Sequence, residues 1–373
     1  MANRILITGA TGFLGGAVAA EALRRYGNSG LLMLARACDS AAALDRVRSN
    51  LAAHGASGQA LEALTEDNIL CGDLEKLDSL HDDPRLDQVH EVIHCAALAT
   101  FSNHPCLDKI NVEGTRALAR LMHGRRSLCR FFNVGTAMAC GPEAQTSNGL
   151  VSEHAELPLD DSHLVSYTRS KARAEQVLRE EFPTLPAIML RPSIIVGDTK
   201  RGCVASQSIF WVFQLAQLLG EFTVDLDARV DVVPVDWCAS AILDLLERPT
   251  LAHTVYHLSA GPESSVSFRE VDQALARSRG VEPIAASYRR IDREELGELL
   301  PRMRACAPGT NDRLLVRALR LYGGFAELNY VFANANALGE GIEAPPRFTE
   351  WIGRCHESAR DIPIATQMEW DFK

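Results

Sequence analysis

Tyr167 and Lys171 stand four residues apart in Ser166-Tyr167-Thr168-Arg169-Ser170-Lys171. The stretch from Ser166 to Glu181 is patterned as a helix, and four residues make about one turn, so both side chains project from one face. An unperturbed phenol titrates near pH 10, which makes it a poor proton carrier at neutral pH. A neighbouring ammonium stabilises the phenolate and draws that value toward working pH. A tyrosine so placed can pass a proton to a carbonyl oxygen while hydride reaches the carbon. Chance explains the pair poorly, because six tyrosines and five lysines in 373 residues give about 0.08 such pairs at random.

A hydride needs a carrier, and the start of the chain has the pattern to hold one. A strand-like Arg4 to Thr8 runs into Thr8-Gly9-Ala10-Thr11-Gly12-Phe13-Leu14-Gly15-Gly16, and a helical pattern follows at once. Gly9 permits a tight turn, Gly12 lets a pyrophosphate approach the backbone, and Gly15 lets the helix pack closely on the strand. Thr11, Phe13 and Leu14 complete the loop as residues expected to touch a dinucleotide. A bare glycine triplet is also the mark of a simple turn. Its place in the first strand-turn-helix of an alternating chain is what favours nucleotide binding.

The second strand ends Leu34-Ala35-Arg36, where a chain preferring NAD usually carries an acid for the ribose 2′-hydroxyl. Arg36 can instead pair with a 2′-phosphate, and Arg46 on the next helix is a second candidate cation, so NADPH is the expected cofactor. Either arginine also reads as a solvated surface residue. After the third strand, the Asp73 carboxylate of Gly72-Asp73-Leu74 can accept from an adenine amino group, with Leu74 beside it. After the fourth, Cys95, Ala96 and Ala97 are small where a cofactor must lie close to backbone. His94, just before them, reads as a satisfied core histidine. At the end of the fifth strand the Thr136 hydroxyl can donate a second hydrogen bond to the oxygen Tyr167 protonates, although a structural strand-end threonine fits that place as well. Thr136, Tyr167 and Lys171 are thus the candidate catalytic residues.

The elements that must position these groups alternate. Strands are expected at Arg4 to Thr8, Leu31 to Ala35, Ile69 to Cys71, Glu91 to His94, Arg130 to Val134 and Ala187 to Arg191. Helices are expected at Phe13 to Tyr26, Ala41 to His54, Cys106 to Met122 and Ser166 to Glu181. That rhythm implies an α/β fold, a doubly wound parallel (Rossmann) sheet covered on both faces. Residues 1–200 are expected to form the dinucleotide domain. Residues 201–373 are expected to form mainly a smaller substrate-binding lobe, with 226–262, including a strand-like Asp231 to Val235, returning to the main domain.

Composition narrows the class. Lys and Arg number 38 against 48 acidic residues, a net charge of −10, so no overall basic field draws in nucleic acid. The ten cysteines are scattered, with no CxxC pair and no zinc-ligand spacing, which suits buried thiols in a reducing cytoplasm and no metal site. The glycines at 9, 12, 15 and 16 break the first apolar stretch, and no run approaches the roughly 20 residues of a membrane span.

Taken together, Gly9-x-x-Gly12-x-x-Gly15, Gly72-Asp73-Leu74, Tyr167-x-x-x-Lys171 and the run from Arg191 to Asp198 resemble the extended short-chain dehydrogenase/reductases. Within them the chain looks most like the branch of thioester reductases and fatty acyl-CoA reductases, the male-sterility branch. The strand end Leu34-Ala35-Arg36-Ala37 points there, as do His94-Cys95-Ala96-Ala97 followed by Phe101, Asn111-Val112-x-Gly114-Thr115, and Val233-Pro234-Val235-Asp236. The likeness covers about residues 3 to 260. It implies NADPH, an acyl thioester as substrate, Thr136 as second hydroxyl donor, and nicotinamide contacts from Pro192 and Ser193. One departure is Gly135, where the branch commonly has serine. No adenylation or carrier domain accompanies the motifs, so the expected donor is coenzyme A or a separate acyl carrier protein.

Two other readings stay open. The same residues serve an NADP-dependent ketone, aldehyde or hydroxysteroid-type dehydrogenase, since the apparatus requires only a carbonyl. A sensor or scaffold that binds NADPH without turning it over is the third. A run of arginines from Arg289 to Arg320 makes that region locally basic, fit either for an anionic partner or for ordinary solvated faces with i,i+4 pairs.

Overall fold

In a computed structural model, which describes residues 4–102, 104–144, 146–147, 149–203 and 209–371, the strands gather into one seven-stranded sheet. Strand β1 is Arg4–Thr8, β2 Leu31–Ala35, β3 Ile69–Cys71, β4 Val89–His94, β5 Arg130–Val134, β6 Ala187–Pro192 and β7 Val255–Leu258. Their order is β7-β6-β5-β4-β1-β2-β3, and every pairing is parallel. Strands buried on both faces read as unbroken apolar runs, and Leu31 to Ala35 is buried at every position. The chain reverses direction across the sheet between β1 and β4, which opens a crevice at the carboxyl ends of both.

Helices α1 (Phe13–Tyr26) and α2 (Ser40–Ala53) cover one face; α3 (Gly114–Met122) and α4 (Ser166–Glu181) cover the other. The helix expected from Cys106 to Met122 is interrupted: Lys109–Glu113 forms a wider π-type turn before Gly114, a distortion that often accompanies functional sites. Helix α1 is built from glycine and alanine on its buried side, which lets neighbours approach. A β-carbon on Gly16 would lie 2.1 Å from the Asn50 amide nitrogen of α2.

Residues 226–262 contribute the seventh strand and the whole of a helix that packs on α1. The strand-like Asp231 to Val235 does not join the main sheet. Only Val232–Val233 is extended, paired with Ile194–Ile195, because Pro234 ends the ladder and caps the helix that starts at Val235.

The remaining chain forms a mostly helical lobe from α5 (Phe210–Leu219), α7 (Phe268–Arg279), α8 (Leu300–Cys306), α9 (Asp312–Glu327), α10 (Phe348–Ala359) and α11 (Ile364–Asp371), while α6 (Val235–Glu247) packs on α1. One apolar cluster joins α5, α8 and α9 through Trp211, Leu215, Met303, Leu315 and Leu319. Another joins α7 to α10 through Leu275, Phe348 and Trp351. Among the described residues no helix is long and apolar enough to cross a membrane.

Candidate active site

A cleft of about 620 Å³ runs along the carboxyl edge of the sheet. The residues expected to be catalytic or to touch a dinucleotide line it. Gly9, Thr11, Gly12, Phe13, Leu14 and Gly15 are at one end, with Arg36, Arg46, Asp73 and Leu74 flanking. Cys95, Ala96 and Ala97 form the middle, and Thr136, Tyr167, Lys171, Pro192 and Ser193 the far end.

The glycine loop needs its glycines. Gly9 has φ of +78°, and a β-carbon there would lie 2.8 Å from the Ala96 nitrogen; one on Gly15 would lie 2.3 Å from the Gly9 oxygen. Gly12 precedes α1 with no side-chain cap, so the first amides of a 14-residue helix stay without an intrahelical partner where they border the cleft. The Asn50 amide donates to the Ala10 and Gly12 carbonyls at 2.9 Å each. That brace is a residue sequence reasoning passed over, because a helix asparagine carries no motif.

Arg36 is exposed and lies 3.5 Å from the Asp73 carboxylate, while Arg46 donates to the Arg36 carbonyl. The other Asp73 oxygen accepts from the Glu75 amide at 3.1 Å, so this carboxylate is already engaged in its own turn as well as facing the cleft. An anionic 2′-phosphate fits the two guanidinium groups, and a pyrophosphate fits the uncapped helix end, so the residues present suit a dinucleotide.

At the catalytic end the structure changes one expectation. Burial pushes the Tyr167 phenol up to about 12, and Lys171 does not reach it: its Nζ donates to the Val134 carbonyl at 2.8 Å. Burial also lowers the ammonium to about 8. The expected lowering of the phenol by Lys171 is therefore absent in the protein alone, because desolvation dominates both groups. Tyr167 accordingly stays protonated at neutral pH, the form a proton donor needs. Thr136 is placed for both of its readings. Its Oγ1 accepts from the Met138 amide at 3.3 Å, which caps a short turn and leaves the hydroxyl proton free to donate into the cleft.

A chain of hydrogen bonds ties this end to the glycine-loop strand. The Thr115 hydroxyl donates to the Asn111 carbonyl at 2.6 Å, so its oxygen accepts from His94 Nε2–H at 3.0 Å. His94 Nδ1 then accepts from the Thr8 hydroxyl at 2.7 Å. The Asn111 side chain exchanges bonds with the Leu98 backbone and donates to Ser170 Oγ at 2.9 Å. Ser170 donates in turn to the Tyr167 carbonyl at 2.7 Å. His94 is held neutral, with burial lowering it to about 3, as a satisfied core histidine rather than an acid or base.

Beneath Thr136, Glu175 and Arg191 form an ion pair at 2.7 Å with almost no exposure. Gly135 sits over it: a β-carbon there would lie 2.7 Å from Glu175 Oε1. The absent serine therefore has a steric account. Over Tyr167 lies Phe101, 6.1 Å away between ring centres, which also meets Tyr322 and Phe325 of α9 at 5.6 Å each. The α9 aromatics could not be found from the sequence, since only the fold brings residue 322 beside residue 167.

Half of the arginines in this stretch are paired with carboxylates. Arg289 and Arg302 pair with Glu221, Arg293 with Glu327 and Arg304 with Asp312, which supports the reading as ordinary solvated faces.

The family model for male sterility proteins, an NAD-binding type, matches residues 7–242. The chain belongs to the male sterility protein family. It is 26% identical over 352 residues to aldehyde reductase lnaA of Aspergillus flavus, covering 80% of this chain and 32% of that protein. To fatty acyl-CoA reductase wat of Drosophila melanogaster it is 24% identical over 220 residues, 49% of this chain and 42% of that one. The chain thus spans less than half the length of these curated relatives. The fold is shared with the terminal R domain from the myxalamid PKS-NRPS biosynthetic pathway, with a TM-score of 0.76, 23% identity, and 96% and 91% of the two chains covered.

Proposed function

We propose that this member of the male sterility protein family reduces an acyl thioester with NADPH, giving the aldehyde or, after a second reduction, the alcohol. The observation that carries the reading is one continuous cleft. It has the uncapped helix and two arginines at one end, and Thr136, Tyr167 and Lys171 at the other.

A reduced nicotinamide bound there supplies hydride to the carbonyl carbon. Tyr167 gives its proton to the carbonyl oxygen and Thr136 donates a hydrogen bond to the same atom, so that oxygen never carries an unshielded charge. Lys171, whose Nζ donates to the Val134 carbonyl at the cleft floor, would hold the nicotinamide ribose hydroxyls. The resulting hemithioacetal loses its hydroxyl proton, the carbon–sulfur bond breaks, and the sulfur leaves as a thiol. Pro192 and Ser193, which line the cleft at the end of β6, would contact the nicotinamide.

Incubation with NADPH and a panel of acyl-CoA and acyl-carrier thioesters should oxidise cofactor and release one thiol per aldehyde formed. Cofactor consumption on ketones or aldehydes with no thiol released from any thioester would replace this reading with that of a simple carbonyl dehydrogenase.

A further inference from the structure

Thr136 and Tyr167 address one oxygen, yet they ride on separate elements. Thr136 caps the turn Ala137–Cys140 at the end of β5, and Tyr167 lies in the first turn of α4. Two donors aimed at one atom must keep their places to within about 0.5 Å. The start of α4 has no side-chain cap, because Val165 stands at the capping position. Its first turn is therefore fixed from outside the helix.

His163 supplies that fixing. Its Nε2–H donates to the Pro158 carbonyl at 2.7 Å, so a neutral ring presents Nδ1 as an acceptor. Nδ1 lies 3.0 Å from the Thr168 hydroxyl oxygen, which is also 3.0 Å from the Val165 carbonyl. Thr168 is buried and follows Tyr167 directly. The other end of this clip reaches the Thr136 turn, which ends at Gly141. Gly141 has φ of +73°, and a β-carbon there would lie 2.7 Å from Pro158 Cγ and 4.0 Å from His163 Cε1. The proline ring and the imidazole thus pack against the backbone that leaves the turn. Between the two contacts the loop is shaped by Asp160, whose carboxylate accepts from the Ser162 amide at 3.1 Å and hydroxyl at 2.6 Å. Other ties from α4 to this loop, Arg169 to Asp161 and Arg173 to the Leu159 carbonyl, start beyond Thr168.

We infer that His163 is a positioning residue: it holds the Thr136 turn and the first turn of α4 in one register, so that both hydroxyls reach the same carbonyl oxygen. The inference rests on the reading of Thr136 and Tyr167 as a donor pair and adds the group that sets the gap between them. His163 is half-buried and lies outside the cleft lining, so it acts through Pro158 and Thr168 and not on the substrate.

The test has two arms. In the first, amide hydrogen exchange is followed by mass spectrometry on the protein without cofactor or substrate. His163→Ala should speed exchange about tenfold in residues 136–141 and 166–170, as loss of one or two hydrogen bonds predicts, and leave α1 unchanged. His163→Gln keeps a donor near the Nε2 place, so it should protect 136–141 better than 166–170. In the second arm, kcat/KM is measured with NADPH on whichever carbonyl compound the wild type reduces, thioester or ketone. His163→Ala should lower it roughly 10- to 100-fold, as for a group displaced by about 1 Å, with Kd for NADPH unchanged. Thr168→Val cuts the same clip from α4, so the double variant should be little slower than the slower single one. Exchange that stays unchanged, or rises equally along the whole chain, overturns the clip, as do losses that multiply in the double variant. Local exchange as expected with full kcat/KM in His163→Ala would leave a structural contact and remove its part in positioning. A wild type that reduces no carbonyl compound would instead remove the donor-pair reading, and the inference with it, whatever the exchange shows.

Discussion

The Glu175 carboxylate lies 2.7 Å from the Arg191 guanidinium, with both side chains almost wholly withdrawn from water. The pair joins α4, which carries Tyr167 and Lys171, to β6, which ends at Pro192. Removing one partner strands the other charge in the interior. Glu175→Ala is therefore expected to lower unfolding free energy by about 3–5 kcal/mol, read by urea denaturation. A loss below about 1 kcal/mol would show that Arg191 finds water or another partner and that the pair does not hold the two elements together.

Gly135 is the position at which this pair meets the catalytic loop. A β-carbon would approach Glu175 Oε1 to 2.7 Å, and that oxygen is fixed by its bond to Arg191 Nε at 3.0 Å. Gly135→Ser should therefore destabilise by about 1–3 kcal/mol, the range of overpacked interiors. In a Glu175→Asp background, where the carboxylate is drawn back by one methylene, the added cost should shrink. Equal costs in both backgrounds would mean that the clash is not with this carboxylate.

The charge on Lys171 sets a limit on the reaction at high pH. Burial lowers its folded value to about 8, so the ammonium is present below that pH and lost above it. Tyr167, raised to about 12, keeps its proton throughout. The kcat/KM for NADPH, which reports groups of the free enzyme, should fall as pH rises through about 8, whereas Lys171→Arg should lack that limb because the guanidinium stays charged. Tyr167→Phe should lose turnover on the order of 10² at every pH. A wild-type profile flat to pH 10 would contradict this assignment of the ammonium.

Much of the site was legible because its parts obey local rules. β1 to β3 and β5 begin and end at the expected residues, since parallel strands buried on both faces leave unbroken apolar runs bounded by turn residues. The glycine loop and the Tyr167-Lys171 spacing are local as well. What escaped was non-local. Asn50 acts through the height at which α2 crosses α1. The aromatic cover from Tyr322 and Phe325 depends on how α9 docks more than 150 residues after Tyr167. The lowering of Tyr167 expected from Lys171 failed because spacing gives proximity along a helix but says nothing of burial, and burial controls both groups here.

The proposed preference for NADPH rests on Arg36 and Arg46, which both line the cleft, with Arg36 3.5 Å from the Asp73 carboxylate. Replacing Arg36 by alanine should raise KM for NADPH by roughly 10–100-fold, the worth of a hydrogen bond to a charged group, and leave KM for NADH nearly unchanged. Arg46→Ala should act in the same direction. If both cofactors weaken equally, the arginines serve the common pyrophosphate or the loop, and the 2′-phosphate assignment is wrong.

Acid stability tests the hydrogen-bonded chain through His94. Thr8 donates to its Nδ1 and Thr115 accepts from its Nε2, an arrangement with one ring proton that a protonated imidazole would break. Burial holds its folded value at about 3, well below the ordinary histidine value near 6.5. The unfolded chain therefore takes up this proton first, and stability falls as pH drops below 6.5 and goes on falling until about 3. By pH 5 this single group should cost about 2 kcal/mol. His257, buried and lowered to about 3 as well, contributes in the same window, so the slope of unfolding free energy against pH is steep there. His94→Gln retains an acceptor and a donor but cannot titrate. It should be less stable than the wild type at pH 7.5, yet its slope between pH 6.5 and 5 should be shallower by about 1.1 kcal/mol per pH unit on average. An unchanged slope would mean that His94 titrates normally, and the chain from Thr8 to Tyr167 would then lack the neutral link that orders it.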